Sequence, residues 1–400
     1  MKFNRLKSIL KNFYGIFIAP PKQWRLPKKG GVLIYDACGA EVLAPYLIGY
    51  SVEIIPSRGK SVNVPCLLRA ILKLSFWRGN PIQSYAEAFI EVVSPKLVIT
   101  YIDNDVSFYT ISNRFQDIKT IFLQNGSRSE MGDIFGHLVK SESYHVDYMF
   151  VHGSAIGRHY QKFISGQVIA VGSLKSNQIK KSAKVVVGSI LFISQYHDKP
   201  EGGAPFWIEP DGTPIYWDQF FAAEVQALNF LSQWCAENNK LLQICGRRTD
   251  KDCLEKGFYA DCLKECVWEY IPRSSNSNSF ELVDAAELVV FIDSTLGYES
   301  IGRGNKTASF SCRGSSLNNA ATKFGWPTNL PDNGPFWTND ADERQFQRVM
   351  DYLNTVSAEE WEQTRQLYAS ELMEFDAGNT RFVALLAQLL PNLENLNHAQ

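Results

Sequence analysis

Short apolar runs separated by stretches of helical periodicity recur along this chain, and the alternation limits the possible folds more than any other feature. In the first half the runs lie at 32–35, 52–55, 97–102, 120–123, 149–151 and 168–171. Strands that are apolar throughout are typical of parallel sheets covered by helices on both faces. The first half therefore predicts a doubly wound α/β domain.

A second series of the same kind follows a Ser- and Lys-rich stretch at 173–188, which we interpret as a linker. We predict strands at 190–194, 241–245, 267–271, 288–292 and 307–310, and helices at about 215–239, 278–286 and 295–302. Beyond residue 336 helical patterns predominate, at 342–355, 358–374 and 379–390. The second half thus predicts another α/β domain followed by helices.

Four hundred residues exceed the usual size of one core, so two domains are expected. We predict two Rossmann-like domains at 31–180 and 181–340, a basic amphipathic arm at 1–30 and C-terminal helices at 341–400. This two-domain arrangement resembles the fold class of glycosyltransferases that is known as GT-B. Open parallel sheets bind ligands beyond the carboxyl ends of their strands, so we expect a cleft between the two domains. The resemblance to GT-B enzymes implies an acceptor on the first domain and a donor nucleotide on the second.

One predicted strand end combines the features of an anion site. An apolar strand stops at Asp293, and Ser294, Thr295 and Gly297 open the next helix. Helix starts offer unpaired N–H groups and a positive dipole end, and the two hydroxyls add donors. Gly297 would allow a ligand to approach closely, and Glu299 could accept bonds from ribose hydroxyls. We predict a phosphate site of a nucleotide here.

A simpler interpretation of this segment stays open: Ser294 or Thr295 caps the helix, and Gly297 is small where helix meets sheet. A second anion candidate is the group Gly246, Arg247 and Arg248, which follows the strand at 241–245. Guanidinium groups bind phosphate and carboxylate through paired hydrogen bonds. A solvated surface pair is the alternative.

Acidic residues supply the candidates for catalysis. Asp198 follows the first strand of the second domain, where its carboxylate could act as nucleophile or base toward an anomeric carbon. Asp103 and Asp105 spell an Asp-x-Asp metal motif, but we interpret them as caps of a helix near residue 106, with Asp103 on the acceptor side. No catalytic metal and no cofactor are expected.

The opposite wall of the cleft is expected to carry polar donors. Gln124, Asn125 and Arg128 follow the strand at 120–123 and would place amide and guanidinium groups in the shared space. A plain Asn-Gly turn is the alternative interpretation.

Charge and cysteine content narrow the function classes. The net charge of −2 gives no reason to expect nucleic-acid binding, and the eight cysteines lack zinc-site spacing, so we interpret them as reduced thiols of a cytoplasmic protein. Eight lysines and arginines precede the first acid, Asp36, and apolar residues recur among them at helical spacing. Residues 1–20 therefore either contact the inner membrane or dock on their own domain.

The motifs resemble those of the surface carbohydrate biosynthesis protein family. The residues that carry the resemblance are 293–300, 303–306 and 124–128. More distantly the layout is similar to bacterial retaining β-Kdo transferases, GT-B enzymes that use CMP-Kdo. In those enzymes a Gln-x-x-Asp motif carries the implicated nucleophile, and here it is matched by Gln195 and Asp198. Their Ser-Thr-x-Gly-x-Glu motif, which binds the nucleotide end of the donor, is matched at 294–299.

Two departures accompany this resemblance. The Kdo transferases have Glu-Asp-Gly where this chain has Gln124, Asn125 and Gly126, so a carboxylate has become an amide that cannot act as acid or base. The His-Pro element that approaches CMP is missing, and Gly246 to Arg248 stand near the corresponding strand end.

We therefore predict a glycosyltransferase of bacterial surface polysaccharide biosynthesis, with Asp198 and Gln124 at the catalytic centre. The predicted donor is CMP-activated, with Kdo or another ulosonic acid as the sugar, and the acceptor is a lipid-linked glycan. The alternatives are a sugar-nucleotide 2-epimerase of the same fold and a non-catalytic scaffold for carbohydrate assembly.

Overall fold

The computed structural model describes residues 14–56, 60–130, 133–182, 184–209, 211–249, 253–263, 266–317 and 322–390. Residues 1–13, which hold most of the predicted arm helix, lie outside these ranges. Among the described residues, no helix combines the length and the apolar character needed to cross a bilayer.

The first domain is built on a sheet of six parallel strands in the order β2-β1-β3-β4-β5-β6. The strands are β1 Val32–Ile34, β2 Val52–Ile54, β3 Leu97–Thr100, β4 Lys119–Leu123, β5 His145–Val151 and β6 Ser165–Ala170. Successive residues of β1 and β3 belong to two separate core clusters. The sheet is therefore covered on both faces, which explains why its strands are apolar throughout.

The second domain has a seven-stranded sheet in the order β9-β8-β7-β10-β11-β13-β12, parallel except for the pair β12 and β13. The strands are β7 Val186–Ile193, β8 Leu241–Cys245, β9 Trp268–Ile271, β10 Ala286–Phe291, β11 Thr307–Phe310, β12 Asn333–Gly334 and β13 Trp337–Thr338. Two Rossmann-like sheets of the GT-B type are thus present. β7 begins earlier than predicted, inside the stretch assigned to the linker.

Helices connect the strands and close both domains. They are α1 Ala40–Leu43, α2 Val64–Ile71, α3 Leu74–Arg78, α4 Pro81–Val93, α5 Ile111–Arg114, α6 Ser154–Gln161, α7 Leu174–Gln178, α8 Trp217–Glu237, α9 Cys253–Cys262, α10 Asn276–Ala285, α11 Thr295–Gly302, α12 Arg313–Leu317, α13 Glu343–Thr355, α14 Ala358–Leu372 and α15 Thr380–Leu389. Shorter turns are the π-helical Tyr14–Ile18 and the 3-10 turns Ala44–Tyr46, Phe108–Thr110, Ile134–Gly136, Glu201–Gly203 and Ala377–Asn379. Two short strand pairs join Lys22–Gln23 to Val62–Asn63 and Trp207–Ile208 to Pro214–Ile215.

The C-terminal helices divide between the two domains. Phe346 of α13 and Trp361 of α14 belong to the core of the second domain. Phe382 of α15 belongs instead to the first domain, where its ring packs against Phe150 and Tyr46 at centroid distances of 5.3 and 5.2 Å. The chain therefore crosses back over the cleft before it ends.

A buried ion pair holds the chain where it first passes from the first domain to the second, just after α7. Arg303, at the end of α11, donates to both carboxylate oxygens of Asp284, with Nε to Oδ1 at 2.8 Å. Its Nη1 donates to the carbonyl oxygens of Ser176 and Ile179 at 2.7 and 3.1 Å. One guanidinium thus joins the linker to the second domain with nearly all its donors used.

Removing the Phe382 ring should show how much α15 contributes to stability. Phe382 is fully buried, so we expect Phe382→Ala to lower the free energy of unfolding by about 3–5 kcal/mol. The matched control is Val383→Ala on the exposed side of the same helix, where Val383 is 46% exposed. Urea denaturation followed by fluorescence measures both, and equal effects of the two changes would contradict this packing role.

Candidate functional site

A cavity of about 580 Å³ lies where β7, β8 and β10 end, between the two domains. It brings together seven of the residues singled out from the sequence: Asn125, Gln195, Gly246, Arg247, Ser294, Thr295 and Glu299. It also contains Lys175 and Arg273, which sequence reasoning missed. We call this space the β7 cavity. Three of its residues are cationic and only Glu299 is acidic, so it suits an anion.

The helix start of α11 borders the β7 cavity as predicted. Ser294 is the N-cap, and its Oγ accepts from the N–H of Leu296 at 3.3 Å. Thr295 Oγ1 accepts from the backbone N–H of Ser127 at 3.0 Å, so it also bridges the two domains. The cap interpretation thus describes the local bonds, while the position of both hydroxyls in the cavity leaves them able to serve a ligand.

Gly297 has a packing role rather than the predicted contact with a ligand. A Cβ at this position would lie 2.1 Å from the ring of Phe291 at the end of β10. Gly297 faces the sheet and is not among the residues that line the β7 cavity. The close approach that glycine permits here is that of the Phe291 ring.

The loop after β8 is held by a buried carboxylate. Glu255 is fully buried; its Oε1 accepts from the N–H of Arg247 at 2.9 Å and its Oε2 from the N–H of Arg248 at 3.1 Å. Tyr270 Oη donates to the same Oε2 at 2.9 Å, and a Cβ at Gly246 would lie 2.5 Å from that hydroxyl. These bonds hold the loop in place, and a side chain at Gly246 would require the Tyr270 ring to shift.

The two arginines of this loop point to different places. Arg247 lines the β7 cavity, donates to the carbonyl oxygen of Tyr196 at 3.2 Å and contacts His197 Nε2. Burial and the charges of Arg247 and Arg248 lower the pKa of His197 to about 4, so this imidazole is neutral at pH 7. Neutral His197 can accept a hydrogen bond from Arg247 and orient it.

Arg248 instead pairs with Asp198 outside the cavity lining. Nη1 to Oδ1 is 2.9 Å and Nη2 to Oδ2 is 2.6 Å, and about half of the Asp198 side chain is exposed. The alternative of a plain surface pair therefore fits Arg248. Catalysis by Asp198 remains a prediction, and it requires the ion pair to open toward the cleft.

Glu299 is the carboxylate of the β7 cavity. Burial raises its pKa from 4.5 to about 7, and its hydrogen bond with Ser173 and the charge of Lys175 only partly oppose the shift. Ser173 and Lys175 belong to the first domain, so this side chain also lies at the domain boundary.

A second cavity, of about 230 Å³, lies on the other side of the Ser127 and Thr295 contact. Its lining includes Gln124, Arg128, Asp293, Lys323 and Trp326. We call it the Asp293 cavity. Polar groups from both domains converge on it.

Gln124 and Arg128 were predicted to supply donors to the cleft, but both are engaged in internal hydrogen bonds. Gln124 Nε2 donates to the carbonyl of Gly126 at 2.8 Å, and its Oε1 accepts from the N–H of His152 at 2.9 Å. Arg128 Nε donates to Asp103 Oδ2 at 2.6 Å. The amide and the guanidinium therefore shape the loop from inside, and Asn125 reaches the other cavity.

Asp103 is the anchor of this loop and not the predicted helix cap. Burial favours a higher pKa, but the charge of Arg128 and hydrogen bonds from Arg128, Tyr160 and the N–H of Asn125 hold the pKa of Asp103 below its usual range. The helix predicted near residue 106 is instead the 3-10 turn Phe108–Thr110, whose N-cap Ser107 makes no capping hydrogen bond with its side chain, and Asp105 Oδ1 accepts from the N–H of Ser107 at 2.9 Å. Asp103 is completely buried.

A buried network behind the Asp293 cavity also escaped sequence reasoning. Asp293 Oδ2 accepts from Arg313 Nη1 at 2.6 Å, while Oδ1 is buried without a hydrogen-bond partner. Arg313 Nη2 reaches Glu224 at 3.4 Å, and burial raises the pKa of Glu224 to about 7 against the charge of Arg313. Arg273 and Arg313 both follow strand ends within three residues, and that position could have identified them.

With this geometry in place, the comparisons with known proteins decide the family. A family model described as "putative O-antigen biosynthesis protein" matches residues 121–390, more than half of the chain. The chain belongs to this O-antigen biosynthesis family. None of the curated proteins matches its sequence. The matched range includes the residues of the second domain that line the two cavities, and it also includes the loop that follows β4 and contains Gln124.

Solved structures share the fold of this family member at low identity. The "putative UDP-N-acetylglucosamine 2-epimerase from Listeria monocytogenes" has a TM-score of 0.53 at 10% identity, covering 90% of this chain and 96% of the other. A UDP-N-acetylglucosamine 2-epimerase has a TM-score of 0.51 at 10% identity, covering 92% and 98%. S. aureus MnaA with UDP has a TM-score of 0.50 at 10% identity, covering 91% and 97%. These likenesses support the two-domain fold alone.

The raised pKa of Glu299 predicts a specific pH dependence. A carboxyl group with a folded-state pKa of about 7 and an ordinary value of 4.5 stabilises the protein fully below pH 4.5, and this contribution is lost as the pH rises through 7. Between pH 4.5 and pH 7, the Glu299→Gln variant should therefore lose less stability than the wild type. The measurement is Tm against pH, with the exposed Glu237→Gln as control; parallel curves for wild type and Glu299→Gln would contradict the assignment.

Proposed function

We propose that this protein is a glycosyltransferase that moves an ulosonic acid, such as Kdo, from its CMP-activated form to a lipid-linked glycan of a surface polysaccharide. The observation that carries the proposal is the β7 cavity, in which a capped helix start, three cationic side chains and one buried carboxylate converge at the ends of three parallel strands. Membership of the O-antigen biosynthesis family supports the carbohydrate pathway.

Each end of such a donor has a complementary group in the cavity. The nucleotide phosphate would lie at the start of α11, where Ser294 and Thr295 provide hydroxyls and the helix dipole is positive. Arg247 and Arg273 would bind the phosphate and the carboxylate of the sugar, since a second anionic group distinguishes an ulosonic acid from a neutral hexose. Glu299 would accept hydrogen bonds from the ribose.

The acceptor would approach through the Asp293 cavity. This cavity borders the β7 cavity at the contact of Ser127 with Thr295, so a sugar held there would adjoin the donor. Trp326 offers an aromatic face and Lys323 a charge at its lining. Polar and aromatic groups together are typical of sites that bind carbohydrate hydroxyls and ring faces.

In the proposed reaction Asp198 attacks the anomeric carbon and the nucleotide leaves with the bonding electrons. The acceptor hydroxyl then displaces the Asp198 carboxylate while its proton passes to Asp293, which gives retention after two displacements. Asp293 is the second carboxylate at the cleft, and Arg313 holds one of its oxygens at 2.6 Å. Negative charge on the departing phosphate would be stabilised by Arg247 and the helix start.

Nucleotide binding tests the first half of the proposal. CMP at a hundredfold excess over its Kd should raise the free energy of unfolding by about 2.7 kcal/mol, with smaller effects of UDP and GDP. Arg247→Ala should weaken CMP binding by about tenfold to a hundredfold, because a charged hydrogen bond is lost. The control is Arg344→Ala, a change at an exposed position of α13. A thermal-shift titration without a response to any nucleotide would favour the scaffold alternative.

A pair of matched substitutions tests the nucleophile. Asp198→Asn should lower the rate of sugar transfer on the order of a thousandfold while CMP binding is retained. Asp293→Asn is the comparison, because this carboxylate lies at the Asp293 cavity and has no role as nucleophile in the proposed reaction. Full activity of Asp198→Asn together with an inactive Asp293→Asn would transfer the role to Asp293.

The same assay separates transfer from epimerisation. The purified protein is incubated with nucleotide sugar in the presence and in the absence of a lipid-linked acceptor. A transferase forms product only with the acceptor. Formation of an epimerised nucleotide sugar without acceptor would overturn the proposal in favour of the 2-epimerase alternative.

A further inference from the structure

A group of large apolar side chains is exposed on one side of the first domain. Two consecutive helices, α2 and α3, expose Leu68, Leu72, Leu74 and Trp77, and Leu72 is 87% exposed. The chain segment before β1 adds Tyr14, Ile18, Trp24 and Leu26. Single exposed apolar residues are ordinary, but a concentration of this kind marks an interaction surface.

Contacts show that the two segments lie side by side. The buried ring of Phe17 packs against Phe76 of α3 at a centroid distance of 5.9 Å. Lys22 and Gln23 pair in parallel with Val62 and Asn63, directly before α2. The exposed residues next to these contacts therefore share one surface, defined here as the α2–α3 surface.

Trp77 is held in position on this surface. Its Nε1 donates to the carbonyl oxygen of Ile71 at 2.8 Å, which ties α3 to the end of α2, and its ring packs edge-on to buried Phe76 at 5.4 Å. Two thirds of the side chain nevertheless remain exposed. An indole with a satisfied N–H and an exposed ring suits the boundary between water and lipid.

The charge of the surrounding segments has one sign. Residues 14–30 and 60–83 contain eight lysines and arginines and no aspartate or glutamate, although the whole chain has a net charge of −2. Carboxylates from neighbouring elements also reach this region: Glu91 pairs with Lys73, the charge of Glu87 also interacts with Lys73, and Glu53 accepts from the N–H of Lys28 at 2.8 Å. Arg69 and Arg78 lie exposed beside the leucines of α2 and α3.

We propose that the α2–α3 surface binds the anionic headgroup region of a lipid bilayer, with Leu72, Leu74 and Trp77 inserted among the lipids. Apolar insertion and basic attraction together are what interfacial binding requires. The proposal is independent of the sugar-transfer chemistry. It places the membrane contact on a surface made mainly by the first domain, to which the predicted contact of residues 1–20 would be adjacent, because Phe17 is docked in that domain's core.

Vesicle binding of the full chain tests this proposal. The protein should sediment with vesicles of phosphatidylcholine and phosphatidylglycerol, bind weakly to phosphatidylcholine alone, and dissociate at high salt. The double variant Leu72→Glu with Trp77→Glu should lower partitioning by more than about tenfold, because apolar insertion is replaced by repulsion. Val267→Glu is the matched control, since Val267 is 76% exposed on the second domain.

A second variant covers the case in which the double glutamate variant folds poorly. Arg69→Gln with Arg78→Gln leaves the apolar residues in place and should lower partitioning about fivefold for each charge removed. Melting curves establish that each variant is folded. Wild-type partitioning of both variants would overturn the proposal. So would a loss of self-association with unchanged vesicle binding, which would assign the surface to contacts between copies of the chain.

Discussion

The organisation of the cleft depends on the buried ion pair between Asp103 and Arg128. Both charges are removed from water, a costly arrangement unless each is fully paired and hydrogen-bonded. Here the remaining acceptor capacity of Asp103 is used by Tyr160 and by the N–H of Asn125. The pair therefore fixes the loop after β4, and that loop forms the wall between the two cavities and touches Thr295 of the other domain.

The second domain uses the same principle with a different residue. Glu255 holds the loop after β8 by accepting two backbone N–H groups, and Glu224 lies beneath Arg313 and Asp293. In each case a buried carboxylate fixes a strand-end loop, so that the groups facing the cleft are preorganised. Preorganised polar groups can stabilise charge that develops on a bound ligand without the cost of reorienting them.

The sequence predicted the sheets because buried parallel strands are apolar throughout, and β8 and β11 begin and end where expected. It identified the helix start at Ser294 because a strand end followed by hydroxyls has a local signature. It could not reveal Asp103 with Arg128 or Asp293 with Arg313, since these partners are far apart in sequence and only the folded chain joins them. Gly297 was assigned to a ligand because sequence cannot tell whether the open side of a glycine faces a cavity or the Phe291 ring.

The return of α15 to the first domain has a mechanical consequence. The chain passes between the domains twice, once after α7 and again between α14 and α15, where Glu374 N–H donates to the carbonyl of His152 at 2.8 Å and Gly172 bridges to Phe375. The two crossings lie side by side, so any relative movement of the domains must leave both covalent connections intact. The positions that the walls of the two cavities can take relative to each other are correspondingly limited.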